Sequence, residues 1–159
     1  YVMGIDFNAR IQTIKRNTDY VFVFGGTNDW GHGSAPFGNL SDDTPYTYCG
    51  AVRKLFTELS KKFGKDKVKV IIPLYRFDDW HKKGGDSDWL PHSDKMLADY
   101  CDVQIEICNE LGIEYLDYRN EFGHPTNDKN EGYFKDGLHP NDKGHQLLAD
   151  LLSKVIEEF

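Results

Sequence analysis

The sequence of 159 residues lacks the features that mark a membrane-spanning or a nucleic-acid-binding protein. No apolar run approaches the roughly 18 residues that a membrane-spanning helix needs, so we predict no membrane span. Basic residues are not in excess, since 19 Lys and Arg stand against 26 Asp and Glu and the net charge is −7. A surface that binds nucleic acid needs clustered Lys and Arg, so we predict no nucleic-acid partner.

Cysteine is scarce, and the three cysteines contain no CxxC pair. Cys101 and Cys108 fall on one predicted helix, where seven residues correspond to roughly 10 Å, too far for a disulfide. We therefore predict buried free thiols at Cys49, Cys101 and Cys108. Free thiols fit a reducing compartment and favour the cytoplasm, and the sequence leaves secretion open. The histidines show no metal-ligand spacing, so we predict no metal, and the sequence implies no organic cofactor.

Hydrophobic residues make up 39% of the chain, and they follow an alternating pattern of strands and amphipathic helices. This alternation predicts an α/β fold in which helices cover both faces of a parallel sheet, and we expect a single domain over residues 1–159. The predicted elements are helix 7–17, strand 20–24, helix 44–63 with Thr44 as N-cap, strand 68–73, a helix capped by Ser93 or Asp94 and ending at 111, strand 113–116 and helix 141–159.

Three strands make a small sheet for such a fold. The segment from Tyr20 to Phe24 (YVFVF) is a continuous apolar run, typical of a parallel strand that is covered on both faces. A buried strand of this kind needs a partner along each edge. We therefore expect one or two strands to precede Tyr1 in a longer protein.

Two loops carry residues that are suited to catalysis. In parallel α/β folds the sites lie at the carboxyl ends of the strands, and the loop after the first predicted strand begins with Gly25-Gly26-Thr27-Asn28-Asp29. The loop before the last helix reads Asp136-Gly137-Leu138-His139-Pro140. The first offers glycines that let a substrate approach and a side-chain amide donor. The second offers a carboxylate three residues before an imidazole.

The motifs GGTND and DGLHP, about 110 residues apart and in this order, resemble the third and fifth sequence blocks of the SGNH (GDSL-type) hydrolases. The resemblance covers essentially the whole chain in element order. It implies a three-layer, flavodoxin-like SGNH hydrolase fold that lacks its first one or two strands. It also implies that Asn28 donates to the oxyanion, that Asp136 is the orienting carboxylate and that His139 is the general base.

These roles agree with the chemistry of the side chains. An amide aimed at the developing oxyanion contributes roughly 3–4 kcal/mol to transition-state stabilisation. An imidazole accepts the serine proton and returns it to the leaving alcohol, and a carboxylate fixes its tautomer. We further expect Gly26, Trp30, His32 and Tyr75 to lie near the substrate.

The chain departs from the family pattern because the GDS block with the nucleophilic serine is absent from its expected place before GGTND. The second block, whose glycine completes the oxyanion hole, is absent too, and the surroundings of Gly4 do not match it. Gly85-Asp86-Ser87 spells GDS, but Ser87 follows charged loop residues and not an apolar strand, so we do not assign it as nucleophile. We therefore expect the nucleophile to lie upstream of Tyr1 and the chain alone to be inactive.

The resemblance implies a serine esterase that acts on short acyl or O-acetyl esters, with carbohydrates and lysophospholipids as candidate substrates. An N-terminal fragment of the same protein would then be a partner. The alternative is a noncatalytic module that binds a carbohydrate or another ligand in a degenerate SGNH cleft. A flavodoxin-like nucleotide binder is disfavoured because no phosphate-binding loop joins a strand directly to a helix here.

Overall fold

A computed structural model of the protein describes residues 6–32, 35–79 and 95–157. The predictions made for Gly4, Ser87, Ser93 and Asp94 fall outside these residues. The chain forms two compact units, one within Tyr1–Pro73 and Asp79–Asp117 and the other within Leu74–Asp78 and Tyr118–Phe159. The single domain over 1–159 stays a prediction.

The first unit is built on a parallel three-stranded sheet. The strands, in chain order, are β1 (Val21–Phe24), β2 (Val68–Ile71) and β3 (Glu114–Leu116). They lie side by side in the order β1-β2-β3, with Val23 opposite Val70 and Val70 opposite Tyr115. The predicted α/β fold with a parallel sheet is therefore confirmed, although β2 ends two residues and β3 begins one residue inside the expected range.

Helices α3 (Tyr48–Phe63) and α4 (Leu97–Leu111) connect the strands. Because both connections lead to the next strand in the same direction, right-handed crossovers place both helices on one face of the sheet, and the two helices pack against each other. The core between them and the sheet is apolar, as Val68, Val70 and Ile107 are fully buried. Burying a side chain of this size contributes ~1.5–3 kcal/mol.

The free cysteines belong to this core, as predicted. Cys49, Cys101 and Cys108 are all buried and unpaired. Burial raises the pKa of Cys108 to about 12, so its thiol stays protonated and behaves as a small apolar group.

The boundaries of several helices differ from the predicted ones. The first helix, α1 (Phe7–Arg10), gives way to a 3-10 turn at Ile11–Thr13 and does not reach residue 17. Helix α3 begins at Tyr48 because Thr47, and not Thr44, is its N-cap: the Thr47 side chain accepts from Gly50 N. Helix α4 begins at Leu97, with Met96 as its N-cap, which is later than the sequence predicted.

The second unit contains two helices. Helix α5 (Arg119–Phe122), which the sequence did not predict, follows β3 in the chain, and α6 (Asp142–Glu157) is the expected terminal helix, beginning one residue later than predicted. Between them the chain folds as turns held by isolated bridges, in which Phe134 pairs with Glu131 and with Pro140. In the described stretches no helix is both long and apolar enough to cross a membrane.

Candidate active site

Asp136 and His139 are in direct contact in the second unit. His139 Nδ1 lies 2.9 Å from Asp136 Oδ2. The other carboxylate oxygen, Oδ1, accepts from His139 N at 2.7 Å and from Leu138 N at 3.2 Å. The side chains of His139 and Asp136 are 60% and 41% exposed, so the imidazole is both oriented and accessible.

These contacts favour the ionised form of Asp136. Partial burial raises the pKa of the Asp136 carboxyl, but hydrogen bonds from the His139 backbone, the His139 imidazole and the Leu138 backbone outweigh it and lower the pKa below its ordinary 3.8. An ionised carboxylate that holds Nδ1–H leaves Nε2 of the imidazole free to act as a base.

A glycine makes the tight turn between these two residues. Gly137 has φ +68°, and a Cβ there would lie 2.3 Å from Asn127 O and 2.8 Å from a ring carbon of Phe77. Gly137 O also accepts from Phe77 N at 3.0 Å. The loop can therefore pass between Asn127 and Phe77 only because residue 137 has no side chain.

Asn141 ties the other end of the loop to helix α6. Its Nδ2 donates to the carbonyl oxygens of Gly132 and Phe134, and its Oδ1 accepts from Gly144 N in the first turn of α6. His139 thus lies between Gly137, which is enclosed by its neighbours, and a helix start that is capped by a side chain.

Asn28 lies in the first unit, on a short helix that the sequence predicted as a loop. This helix, α2 (Thr27–Gly31), follows Gly26, which adopts φ +115°. Asn28 is exposed and lies in the first turn, and its carbonyl accepts from His32 N at 2.7 Å. The amide side chain is therefore carried by a well-defined turn and faces solvent.

The other candidates of the GGTND region occupy different environments. Trp30 is only 3% exposed, and its Nε1 donates to Lys95 O at 3.2 Å, so the indole is part of the core of the first unit. His32 ends α2 and is half-buried. The burial of Trp30 gives no support to a contact with substrate, and for both residues that contact stays a prediction.

Tyr75 lies in the second unit and is half-buried. The Arg119 guanidinium is 5.5 Å from the centre of its ring, and the His124 ring is 5.2 Å away. Because the guanidinium lies over one face of the ring, Tyr75 and Arg119 form a cation–π pair.

The sequence profile of the GDSL-like Lipase/Acylhydrolase family matches residues 3–147, which include Asn28, Asp136 and His139. The chain belongs to this family.

Its relatives among GDSL proteins are distant in sequence. The GDSL esterase/lipase CPRD49 of Arabidopsis thaliana is 24% identical over 143 residues, which are 87% of this chain and 54% of the Arabidopsis protein. The chain therefore spans about half the length of this curated relative.

Solved structures share the fold. A crystal structure of a protein from Lactobacillus plantarum has a TM-score of 0.73 at 23% identity, and the match covers 95% of this chain and 72% of that one. A possible lipase from Chitinophaga pinensis has a TM-score of 0.69 at 22% identity, with 96% and 77% covered. These likenesses establish the GDSL fold of the chain.

The sequence reasoning missed several residues that shape the two GDSL loops. Gln104 and Tyr48 contact the Gly25–Gly26 turn, whereas Phe77 and Asn141 hold the loop of His139. Gln104 could have been found, because it is a polar residue on the apolar face of α4, four residues after Tyr100. Phe77 acts through a backbone contact with Gly137, which is distant in sequence, so no local pattern reveals it. Asn141 acts through its side chain on Gly132 and Phe134, two carbonyl groups of the preceding turns.

Proposed function

We propose that the chain supplies the base, the orienting carboxylate and the oxyanion donor of an ester hydrolase. The observation that carries this proposal is the contact between Asp136 and His139, in which two backbone amides hold the carboxylate and the imidazole remains exposed. Membership of the GDSL-like Lipase/Acylhydrolase family supports hydrolysis of esters as the reaction.

In the proposed reaction a serine hydroxyl attacks the ester carbonyl carbon, and His139 Nε2 takes the hydroxyl proton. Asp136 stabilises the imidazolium that forms, and the Asn28 amide donates to the oxyanion of the tetrahedral intermediate. His139 then protonates the leaving alcohol as the C–O bond breaks, which leaves an acyl-serine. Water repeats the sequence and releases the acid.

The serine in this proposal comes from a part of the protein outside the 159 residues. Two of the described serines do not suit the role: Ser153 donates to Ala149 O within helix α6, and the hydroxyl of Ser60 is buried on α3. The length of the Arabidopsis relative, about twice the matched segment, is compatible with a further segment.

For the substrate we propose short acyl esters, with O-acetyl groups on carbohydrate preferred over lysophospholipids. The partly exposed ring of Tyr75 beside Arg119 supports this preference, since aromatic faces stack on sugars. Replacement of Tyr75 by Leu should raise KM for an acetylated xylo-oligosaccharide while leaving KM for 4-nitrophenyl acetate unchanged. An equal effect on both substrates would contradict the stacking role.

The test of the reaction is hydrolysis of 4-nitrophenyl acetate by the full-length natural protein and its His139→Ala variant. We expect kcat/KM to fall by at least about 10³-fold, because removal of the base leaves the serine unactivated. The matched control is His145→Ala, an exposed histidine six residues further on, which should retain wild-type activity. Wild-type activity in His139→Ala would refute the proposal.

A further inference from the structure

Gln104 is a buried polar side chain on an otherwise apolar helix face. It is 3% exposed and lies on α4 among Tyr100, Val103 and Ile107, all of them buried. Its Nε2 donates to Gly25 O at 2.8 Å and to the hydroxyl of Tyr48 at 2.9 Å. Because a carbonyl oxygen can only accept, the contact with Gly25 fixes which way the amide points.

Tyr48 completes a chain of hydrogen bonds behind the Gly25–Gly26 turn. It is 3% exposed, and its hydroxyl donates to Tyr100 O at 3.0 Å while accepting from Gln104. Burial raises the pKa of Tyr48 well above its usual value, so the phenol stays protonated and able to donate. Both amide hydrogens of Gln104 and the hydroxyl hydrogen of Tyr48 therefore have acceptors.

The two side chains lie directly against the turn that leads to Asn28. A Cβ on Gly26 would lie 2.4 Å from Gln104 Nε2 and 3.0 Å from the Tyr48 hydroxyl. Gly26 itself adopts φ +115° and precedes α2, in whose first turn Asn28 lies. The path of the backbone into α2 is thus set on one side by Gln104 and Tyr48.

We propose that Gln104 and Tyr48 are positioning residues, which hold the Gly25–Gly26 turn so that the Asn28 amide is aimed at the oxyanion. The inference rests on the proposed ester hydrolysis and on the role of Asn28 in it. An apolar pair would fill this part of the core without the desolvation cost that buried polar groups carry. The Gln104 amide donates a hydrogen bond to Gly25 O, which an apolar side chain cannot do.

The test is a double-mutant cycle on the full-length protein with 4-nitrophenyl acetate, using Gln104→Met, Asn28→Ala and the combination. Gln104→Met keeps the length of the side chain and removes the donor. Since small displacements of a catalytic group cost up to about 10²-fold, we expect kcat to fall roughly 10- to 100-fold with KM within about threefold of wild type. In the Asn28→Ala background, Gln104→Met should cause no further loss.

Ile107→Val provides the structural control, because Ile107 is buried on the same helix and its side chain has no hydrogen-bonding group. The midpoint of urea unfolding of Ile107→Val should fall, because a buried methylene is lost, with kcat unchanged. Tyr48→Phe is a second probe that keeps the ring, and it should lower kcat less than Gln104→Met does. Should Gln104→Met fail to fold, the same cycle with Tyr48→Phe decides.

Each outcome has a distinct meaning. The positioning role would be overturned if Gln104→Met left kcat unchanged, or if the losses in kcat from Gln104→Met and Asn28→Ala multiplied in the double variant. Either result would leave the hydrolase proposal intact. Wild-type kcat in Asn28→Ala would instead refute Asn28 as the oxyanion donor, and with it the positioning role of Gln104 and Tyr48.

Discussion

Asp136 is held by three donors, and these contacts give its carboxyl group a lowered pKa. Because the pKa is lower in the folded than in the unfolded chain, the ionised carboxylate stabilises the fold above pH 3.8. This stabilisation is lost as the pH falls through the lower, folded value. The sign of the effect distinguishes an oriented carboxylate from a turn residue without partners.

A titration followed by NMR tests this arrangement. We expect the Asp136 carboxyl carbon to titrate with a midpoint below 3.8 in the wild-type protein. In His139→Ala the imidazole contact is gone and the two backbone donors remain, so the midpoint should rise part of the way back. A wild-type midpoint at or above 3.8 would contradict the described contacts.

Gly137 is a second position at which one residue decides the geometry of the site. Gly137→Ala would place a Cβ 2.3 Å from Asn127 O at positive φ, so we expect a loss of roughly 2–4 kcal/mol in the free energy of unfolding. Gly132→Ala is the matched control, because Gly132 also has positive φ but no atom within 4 Å of the added Cβ. The control should lose only about 1 kcal/mol. Equal losses in urea unfolding would show that the loop is not enclosed.

For single residues, the sequence predicted the contact between Asp136 and His139 but not how deeply each side chain is buried. The contact of Asp136 with His139 follows from three-residue spacing in a turn, and the structure shows it directly. Trp30 is predicted to lie near the substrate; its indole is buried in the core of the first unit, and its contact with substrate stays a prediction. The contact of Gln104 with Gly25 O was not predicted, because the two residues are 79 positions apart in the sequence.

Among the elements, the long helices were predicted from their hydrophobic period, whereas the short helices α2 and α5 were not predicted. Helices α3, α4 and α6 span 15 or 16 residues, long enough for an apolar face to repeat several times. Helices α2 and α5 have five and four residues, less than two turns, so no periodicity can distinguish them from loops. The sequence predicted Thr44 as the N-cap of α3, but the N-cap is Thr47, three residues later.

The cap of α3 can be tested directly. Thr47→Ala removes the side chain that accepts from Gly50 N and donates to Asp42 Oδ2, so we expect a loss of about 1–2 kcal/mol in the free energy of unfolding. Thr44→Ala, three residues earlier and exposed, should change stability by less than about 0.5 kcal/mol. Thermal or urea unfolding measures both variants. A larger loss of stability in Thr44→Ala than in Thr47→Ala would indicate that Thr44 is the N-cap, as the sequence predicted.

For the whole molecule, the α/β class and the parallel order of the strands followed from the alternation of apolar runs and amphipathic helices. The division into two compact units did not, because it depends on contacts distant in sequence. Residues 74–78 follow β2 closely in the chain, yet they belong to the second unit. There, Phe77 N donates to Gly137 O. Element order alone contains no information about such a contact.

The central claim is that Asn28, Asp136 and His139 serve a serine that lies outside these 159 residues. The most direct measurement is the intact mass of the full-length natural protein after treatment with a fluorophosphonate, followed by peptide mapping of the adduct. We expect one adduct on a serine outside this chain, its formation slowed by at least about 10³-fold in His139→Ala, and none on the isolated chain. A folded, full-length protein that forms no adduct, or an adduct on Ser87, would contradict it.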